Sequence, residues 1–227
     1  MAILHHHPLD TASRRIRLML AELGVSFELI EEKPGPARAE FLSLNPTGQV
    51  PVLVSDEGVI LCGAYPITEY LEETQSEPES LMGADVHTRA EVRRLVSWFD
   101  EKFAIEVTQP IVGEKAIKRF LSPEFGGGGP DMARVRAGKA NLRVHLDIIG
   151  ELAERRNWLA GPELSIADLA AAAHLSALDY IGEVPWSENP AAKSWYQRIK
   201  SRPCFRSLLA DHVRGISPSS HYADLDF

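Results

Sequence analysis

The sequence predicts a mixed α/β unit followed by an all-α unit. Three observations carry that reading. Up to residue 75 the apolar pattern alternates between strand-like and helix-like spacing in the order β-α-β-α-β-β-α, whereas from Ala90 onward only helical spacing remains. Between the two, the stretch 76–85 holds Pro78 and Gly83 and reads as a linker. The divisions that follow are 1–75 for the α/β unit, 76–85 for the linker, 86–214 for the helical unit and 215–227 for a C-terminal tail.

The first strand is predicted over Ala2 to Leu4. After it, Ile16, Met19, Leu20 and Leu23 form the i, i+3, i+4, i+7 stripe of an amphipathic helix that Gly24 closes. Val25 to Ile30 reads as a second strand and Ala37 to Leu44 as a weak helix. Val52 to Val54 and Val59 to Leu61 then form a hairpin turning at Asp56-Glu57-Gly58, and Ile67 to Leu71 is helical. In the second unit Val92, Leu95, Val96, Phe99 and Phe103 mark one helix, and Val135, Leu142, Leu146, Ile149 and Ala153 another, with Gly126 to Gly129 and Pro130 between them. Ser165-Ile166-Ala167-Asp168 ahead of the apolar run Leu169 to Leu178 is a capping box, in which hydroxyl and carboxylate each satisfy the other residue's backbone donor. Helices around Ala191 to Lys200 and Phe205 to His212 complete the unit.

Composition bounds the function. Of 227 residues, 44% are hydrophobic and 25% charged, the usage of an ordinary globular chain. Lys and Arg number 24 against 32 Asp and Glu, so the net charge of −8 opposes binding to nucleic acid or to anionic membranes. Cys62 and Cys204 are too few for a disulfide framework or a zinc ribbon and fit a reducing, cytoplasmic setting. The opening residues lack a basic, apolar leader pattern, and the most apolar run, Leu169 to Leu175, is far below spanning length; no membrane insertion is expected. His5, His6 and His7 alternate faces along a strand and so cannot converge on one ion; no metal role is assigned to them. Arg14, Arg15 and Arg17 read first as a solvated or ion-paired helix face, with docking of an acidic partner left open.

Three blocks resemble the signature stretches of the glutathione-transferase superfamily: His7 to Leu18, Asn45 to Leu53, and Trp158 to Asp168. The resemblance implies a thioredoxin-like N-terminal domain, a helical C-terminal domain, a homodimer and a cis peptide at Val50-Pro51. It also implies a ligand cleft at Asp10, Thr11, Ser13, Val50, Pro51, Gly63 and Ala64.

Two departures mark that cleft as vestigial. The family places a hydroxyl or thiol where Asp10 falls, to favour the glutathione thiolate. A carboxylate at ~4 Å and an effective dielectric of ~20 opposes a thiolate by ~4 kcal/mol, about three pKa units before screening. Thr11 and Ser13 read as capping residues for the first helix, or as substitute donors if the loop shifts by one position. The family's Glu-Ser pair at the third helix is here Gly63-Ala64. Losing two charge-assisted bonds at ~1.5 to 3 kcal/mol each weakens glutathione binding on the order of a hundredfold to ten-thousandfold. Cys62 reads as a small hydrophobe in or beside the sheet.

The segment His221 to Phe227 mixes aromatic and acidic residues, so it either docks on its own helical domain or meets a partner. With Asp10, Gly63-Ala64, Glu91 to Val96 and Ser201 to Arg206 it resembles a cell-division branch of the superfamily whose members bind the tubulin-like GTPase FtsZ. That resemblance implies a non-catalytic adaptor, cytoplasmic and at midcell, that binds FtsZ as a homodimer and promotes constriction. No cofactor and little or no glutathione are expected. The partner-binding residues expected are Tyr222, Asp224, Leu225, Asp226 and Phe227. The alternative is a glutathione-dependent transferase or thiol reductase using Thr11, Ser13 or Cys62.

Overall fold

The computed structural model describes residues 1–75 and 80–227. At the centre of its four-stranded sheet lies β1 (Ala2–His6), parallel to β2 (Phe27–Glu31) and antiparallel to β3 (Val52–Val54), which pairs in turn with β4 (Ile60–Cys62). Leu4 sits opposite Leu29 on one side and Leu53 on the other, and its side chain is fully buried. The strand runs two residues beyond the apolar pattern because His5 and His6 pair with Ile30 and Glu31. The first helix, α1 (Thr11–Glu22), connects β1 to β2; α2 (Ala39–Leu44) and α3 (Ala64–Gln75) complete the unit. Phe41 of α2 stacks on the His5 ring at 5.5 Å, and all three histidines of the 5–7 run are buried. The mixed sheet with its helices, followed by an all-helical bundle, is the thioredoxin-like plus helical architecture that the sequence implies.

Residues 76–79 of the expected linker lie outside the described residues. Beyond them Leu81 and Met82 are buried, and the Leu81 carbonyl accepts from Ile166 N at 3.0 Å. The helical part begins with α4 (Val86–Ser97), which continues without a break as a π-helix over Trp98–Gly113; wide i→i+5 turns of this kind are rare and cluster at functional sites. α5 (Met132–Arg156) lies against it. A Cβ at Gly138 would meet Pro110 Cβ and Ile111 Cγ1 at 2.9 Å, so glycine is what lets the two helices approach. α6 (Ile166–Tyr180) is buried at every position, and α7 (Pro190–Lys200) flanks it. The helix expected over Phe205 to His212 is reduced to a 3-10 turn at Pro203–Phe205 followed by α8 (Arg206–Leu209). No helix among the described residues is long and apolar enough to cross a membrane.

The capping box is present at the start of α6. Asp168, fully buried, accepts from Ser165 N (3.0 Å), Ser165 Oγ (2.9 Å), Leu159 N (2.9 Å) and Trp195 Nε1 (2.9 Å). One carboxylate thus ties the loop before α6 to α7.

The arginine face of α1 is not solvated. Ser13 through Leu20 are all buried, because α3, α6 and residues 203–209 pack around the helix. Arg14 donates to the Pro8 carbonyl (2.5 Å), Ser176 Oγ (2.9 Å), Tyr222 Oη (3.0 Å) and Asp211 Oδ2 (3.2 Å). Arg17 reaches both oxygens of Asp211 (2.9 and 2.8 Å) and the Ser207 carbonyl, and Arg15 meets Asp100 at 2.5 Å. Buried cations stay charged only when paired, and here the pairing is internal, which leaves none of the three for an acidic partner.

Substituting Asp168→Ala should lower unfolding free energy by about 3 kcal/mol or more, because it strands several buried donors at once. Urea titration reads the loss, and a change under about 1 kcal/mol would show that the carboxylate is not holding the loop.

A pH dependence follows from the seam beside α1. Burial, with Arg17 and Arg14 nearby, lowers His6 and His7 from 6.5 to about 4. Both are neutral in folded and unfolded chains above pH 6.5. Between 6.5 and about 4 only the unfolded chain takes up the two protons, so stability falls with falling pH, by about 2 kcal/mol per imidazole at about pH 5. Burial pushes the Asp10 and Asp168 carboxyls up, an opposing trend. Unfolding titrations across this range should therefore show a flatter pH slope in the double variant His6→Asn/His7→Asn than in the wild type; equal slopes would clear the histidines of the effect.

Candidate functional site

A cleft of about 800 Å³ opens where the start of α1, the 31–38 loop, residues 48–50 and the π-helix meet. Asp10, Thr11 and Val50 line it; Ser13, Pro51, Gly63 and Ala64 do not. The Val50-Pro51 bond is cis. Ser13 is fully buried and turned toward Asp10, while Gly63 donates its N–H to the Pro51 carbonyl at 2.9 Å and precedes the first residue of α3. Cys62 ends β4, half-buried, with Sγ 3.6 Å from the Leu44 carbonyl and no place in the cleft wall. Among the described residues no three His, Cys, Asp or Glu side chains are grouped to hold a metal ion.

Asp10 itself is the N-cap of α1, with extended backbone (φ −76°, ψ 121°). Its Oδ1 accepts from Ser13 N and from Ser13 Oγ, both at 2.7 Å. The capping role expected of Thr11 or Ser13 thus falls to the residue before them, because a short carboxylate at the N-cap reaches the free amide three positions on. A helix N-terminus is where an incoming anion would find donors and a favourable dipole; here the chain's own carboxylate already fills that position. Burial pushes the carboxyl up from its ordinary value, and the Ser13 hydrogen bonds pull the other way.

The far wall was not legible in the sequence. Thr108, on the π-helix, lines the cleft and shares a 2.8 Å hydrogen bond with Nδ1 of His174 on α6. Nε2 of His174 lies 3.9 Å from Asp100 Oδ1, and Asp100 in turn pairs with Arg15. Burial raises the Asp100 carboxyl, but its bonds to His174 and Arg15 outweigh that and leave it below the ordinary value. Thr108 and His174 are 66 residues apart, and neither breaks the apolar pattern of its helix in a way that announces a partner. The opposite rim is built by Glu32, which binds Arg38 (3.0 and 2.6 Å) and His5 (2.8 Å).

The expected partner-binding tail is docked, and its two aromatic residues face inward. Tyr222 is 1% exposed: its hydroxyl donates to the Leu208 carbonyl at 2.9 Å and accepts from Arg14, and its ring meets Tyr180 edge-on at 5.0 Å. Phe227 packs on Trp186, Tyr196 and His221, with Lys200 Nζ 4.0 Å from its ring centroid. Tyr222 is therefore not part of an accessible surface, and Phe227 is half-buried, since apolar rings gain more from these pockets than from water. Asp224, Leu225 and Asp226 remain exposed on the turn between them, closed by bonds from Asp224 N to the His221 carbonyl (3.1 Å) and from Asp226 N to Asp224 Oδ1 (2.9 Å). Beneath the turn, fully buried Asp179 gathers Trp186 Nε1 (2.8 Å), His221 Nε2 (2.9 Å) and Lys200 Nζ (3.5 Å).

Residues 4–79 match the family model for the glutathione S-transferase N-terminal domain, and 132–198 match that for the C-terminal domain. FtsZ-localized protein A of Caulobacter vibrioides is 48% identical over 227 residues, covering 99% of this chain and 97% of that protein. Among solved structures, FzlA from C. crescentus superposes with a TM-score of 0.94 at 48% identity, covering 100% of this chain and 99% of that one. A glutathione S-transferase from Rhodospirillum rubrum F11 superposes with a TM-score of 0.95 at 49% identity over 100% of both chains. Fold, cis-proline loop, capping box and full-length likeness agree, and the chain belongs to the glutathione S-transferase superfamily.

Proposed function

We propose that this chain is a non-catalytic cell-division adaptor that binds FtsZ filaments as a homodimer and promotes constriction in the cytoplasm at midcell. The observation that carries the reading is the likeness to FtsZ-localized protein A, which runs through 99% of the chain. Loss of glutathione chemistry is supported by Asp10, whose carboxylate occupies the donors at the N-terminus of α1 that a thiolate would need. It is supported again at α3, where Gly63 and Ala64 offer no side chain to a ligand's ammonium or carboxylate.

The partner surface is the turn Asp224, Leu225 and Asp226, with Tyr222 and Phe227 as the internal anchors that fix its shape. A preformed turn gives up little conformational entropy on binding, and an apolar residue flanked by two carboxylates suits a basic-rimmed apolar pocket. Two such turns on a two-fold dimer would bridge neighbouring filament subunits and gain avidity beyond one contact.

Asp226→Lys reverses an exposed charge without touching either anchor. It should cut co-sedimentation with FtsZ at least ~tenfold while the thermal midpoint and oligomeric state stay unchanged. Unchanged pelleting would remove the turn from the interface. In a separate titration, millimolar glutathione should give no saturable heat and no conjugation of a chloro-aromatic acceptor. Saturable binding with turnover would instead favour a transferase or thiol reductase acting through Thr11, Ser13 or Cys62.

A further inference from the structure

The cleft retains its volume and its apolar walls although its anion site is filled from within. Leu9, Phe41, Val50, Ala104, Val112 and Ile117 supply those walls, enough for the body of a small molecule. What the floor offers to the polar end of such a molecule follows from the hydrogen bonds already made. Both bonds from Ser13 go to Oδ1 of Asp10, and no bond to Oδ2 is found among the described residues. On the second domain, Thr108 Oγ1 and His174 Nδ1 share one hydrogen bond, and whichever of them donates, the Thr108 oxygen keeps at least one lone pair. Thr108 and Asp10 both line the cleft. One acceptor therefore comes from the first domain and one from the second.

The basic residues of the lining do not offset this polarity. Arg38 is held by Glu32 at 3.0 and 2.6 Å, and Lys33 stands on the exposed rim beside Glu31. His7, buried and held down to about 4, is neutral near physiological pH. Burial pushes the Asp10 carboxyl up, and an ammonium beside it favours the ionised form, so cation binding and ionisation of Asp10 support each other.

We infer that the cleft binds a small molecule carrying a protonated amine on an apolar body, the ammonium seated between Asp10 Oδ2 and Thr108 Oγ1. The ligand's head is the charge opposite of a thiolate, and the site is the cleft floor rather than the outer turn. Because the inference does not depend on filament binding, it can fail while that reading stands, and the reverse.

The test uses three probes of equal chain length with the full chain near neutral pH: n-hexylammonium chloride, sodium hexanoate and 1-hexanol. Amide proton–nitrogen spectra follow Thr11, Ala104 and Thr108. Hexylammonium should shift these resonances saturably, hexanol should do so more weakly, and hexanoate should leave them unmoved. Asp10→Asn keeps a good N-cap residue and removes the charge, so it should weaken hexylammonium at least ~tenfold and leave hexanol unchanged. Thr108→Val should weaken hexylammonium several-fold. Equal binding of hexanoate and hexylammonium, full hexylammonium affinity in Asp10→Asn, or no shift with any probe would each overturn the assignment.

Discussion

Asp211 is the residue on which the arrangement of the two halves depends. Its carboxylate takes Arg17 on both oxygens and Arg14 on one, and both guanidiniums are almost wholly removed from water. A buried ion pair adds little net stability, but removing one partner leaves a bare charge in a dry interior, at a cost of several kcal/mol. Helix α1 is thus locked in one orientation against the helical bundle. Its N-terminus, its N-cap Asp10 and one wall of the cleft are fixed as a consequence, and so is the desolvation that keeps His6 and His7 neutral.

The same lock holds the cleft open, whatever occupies it. The helix N-terminus that would hold a thiolate is closed by a local carboxylate, while the walls that would hold an apolar group belong to helices the seam needs for other reasons. Val107, Ile111 and Phe103 on the π-helix are core residues, so the element that carries Thr108 is held in place by the packing of the bundle. Folding constraints preserve the cavity, and the polar groups at its floor set what it accepts.

Local signals in the sequence are legible. The stripe Ile16, Met19, Leu20 marks α1, and Ser165 with Asp168 marks the start of α6, because each depends on neighbours within one or two turns. Asp10, Thr11 and Val50 are legible as cleft residues through resemblance to a family pattern, not through periodicity. What sequence could not supply were pairings across long separations. Arg14, Arg15 and Arg17 read as a solvated or ion-paired face; they are ion-paired, and only their contacts with Asp211, Asp100 and Tyr222 reveal them as interior. Tyr222 and Phe227 belong to a tail that either docks or meets a partner, and nothing near them in sequence announces the pockets that receive them. Thr108 and His174 gave no signal at all.

The bond between Arg14 and Tyr222 spans 208 positions of sequence, and that distance has a consequence during synthesis. Arg14 leaves the ribosome early, inside a helix whose apolar stripe favours packing at once onto its own sheet. Its counter-charge and its hydroxyl partner follow only when almost the whole chain has emerged. The nascent first domain must therefore keep its arginine face wet while it waits, and the final turn of the tail closes the seam. Tyr222 is the last of the partners that the Arg14 guanidinium gains.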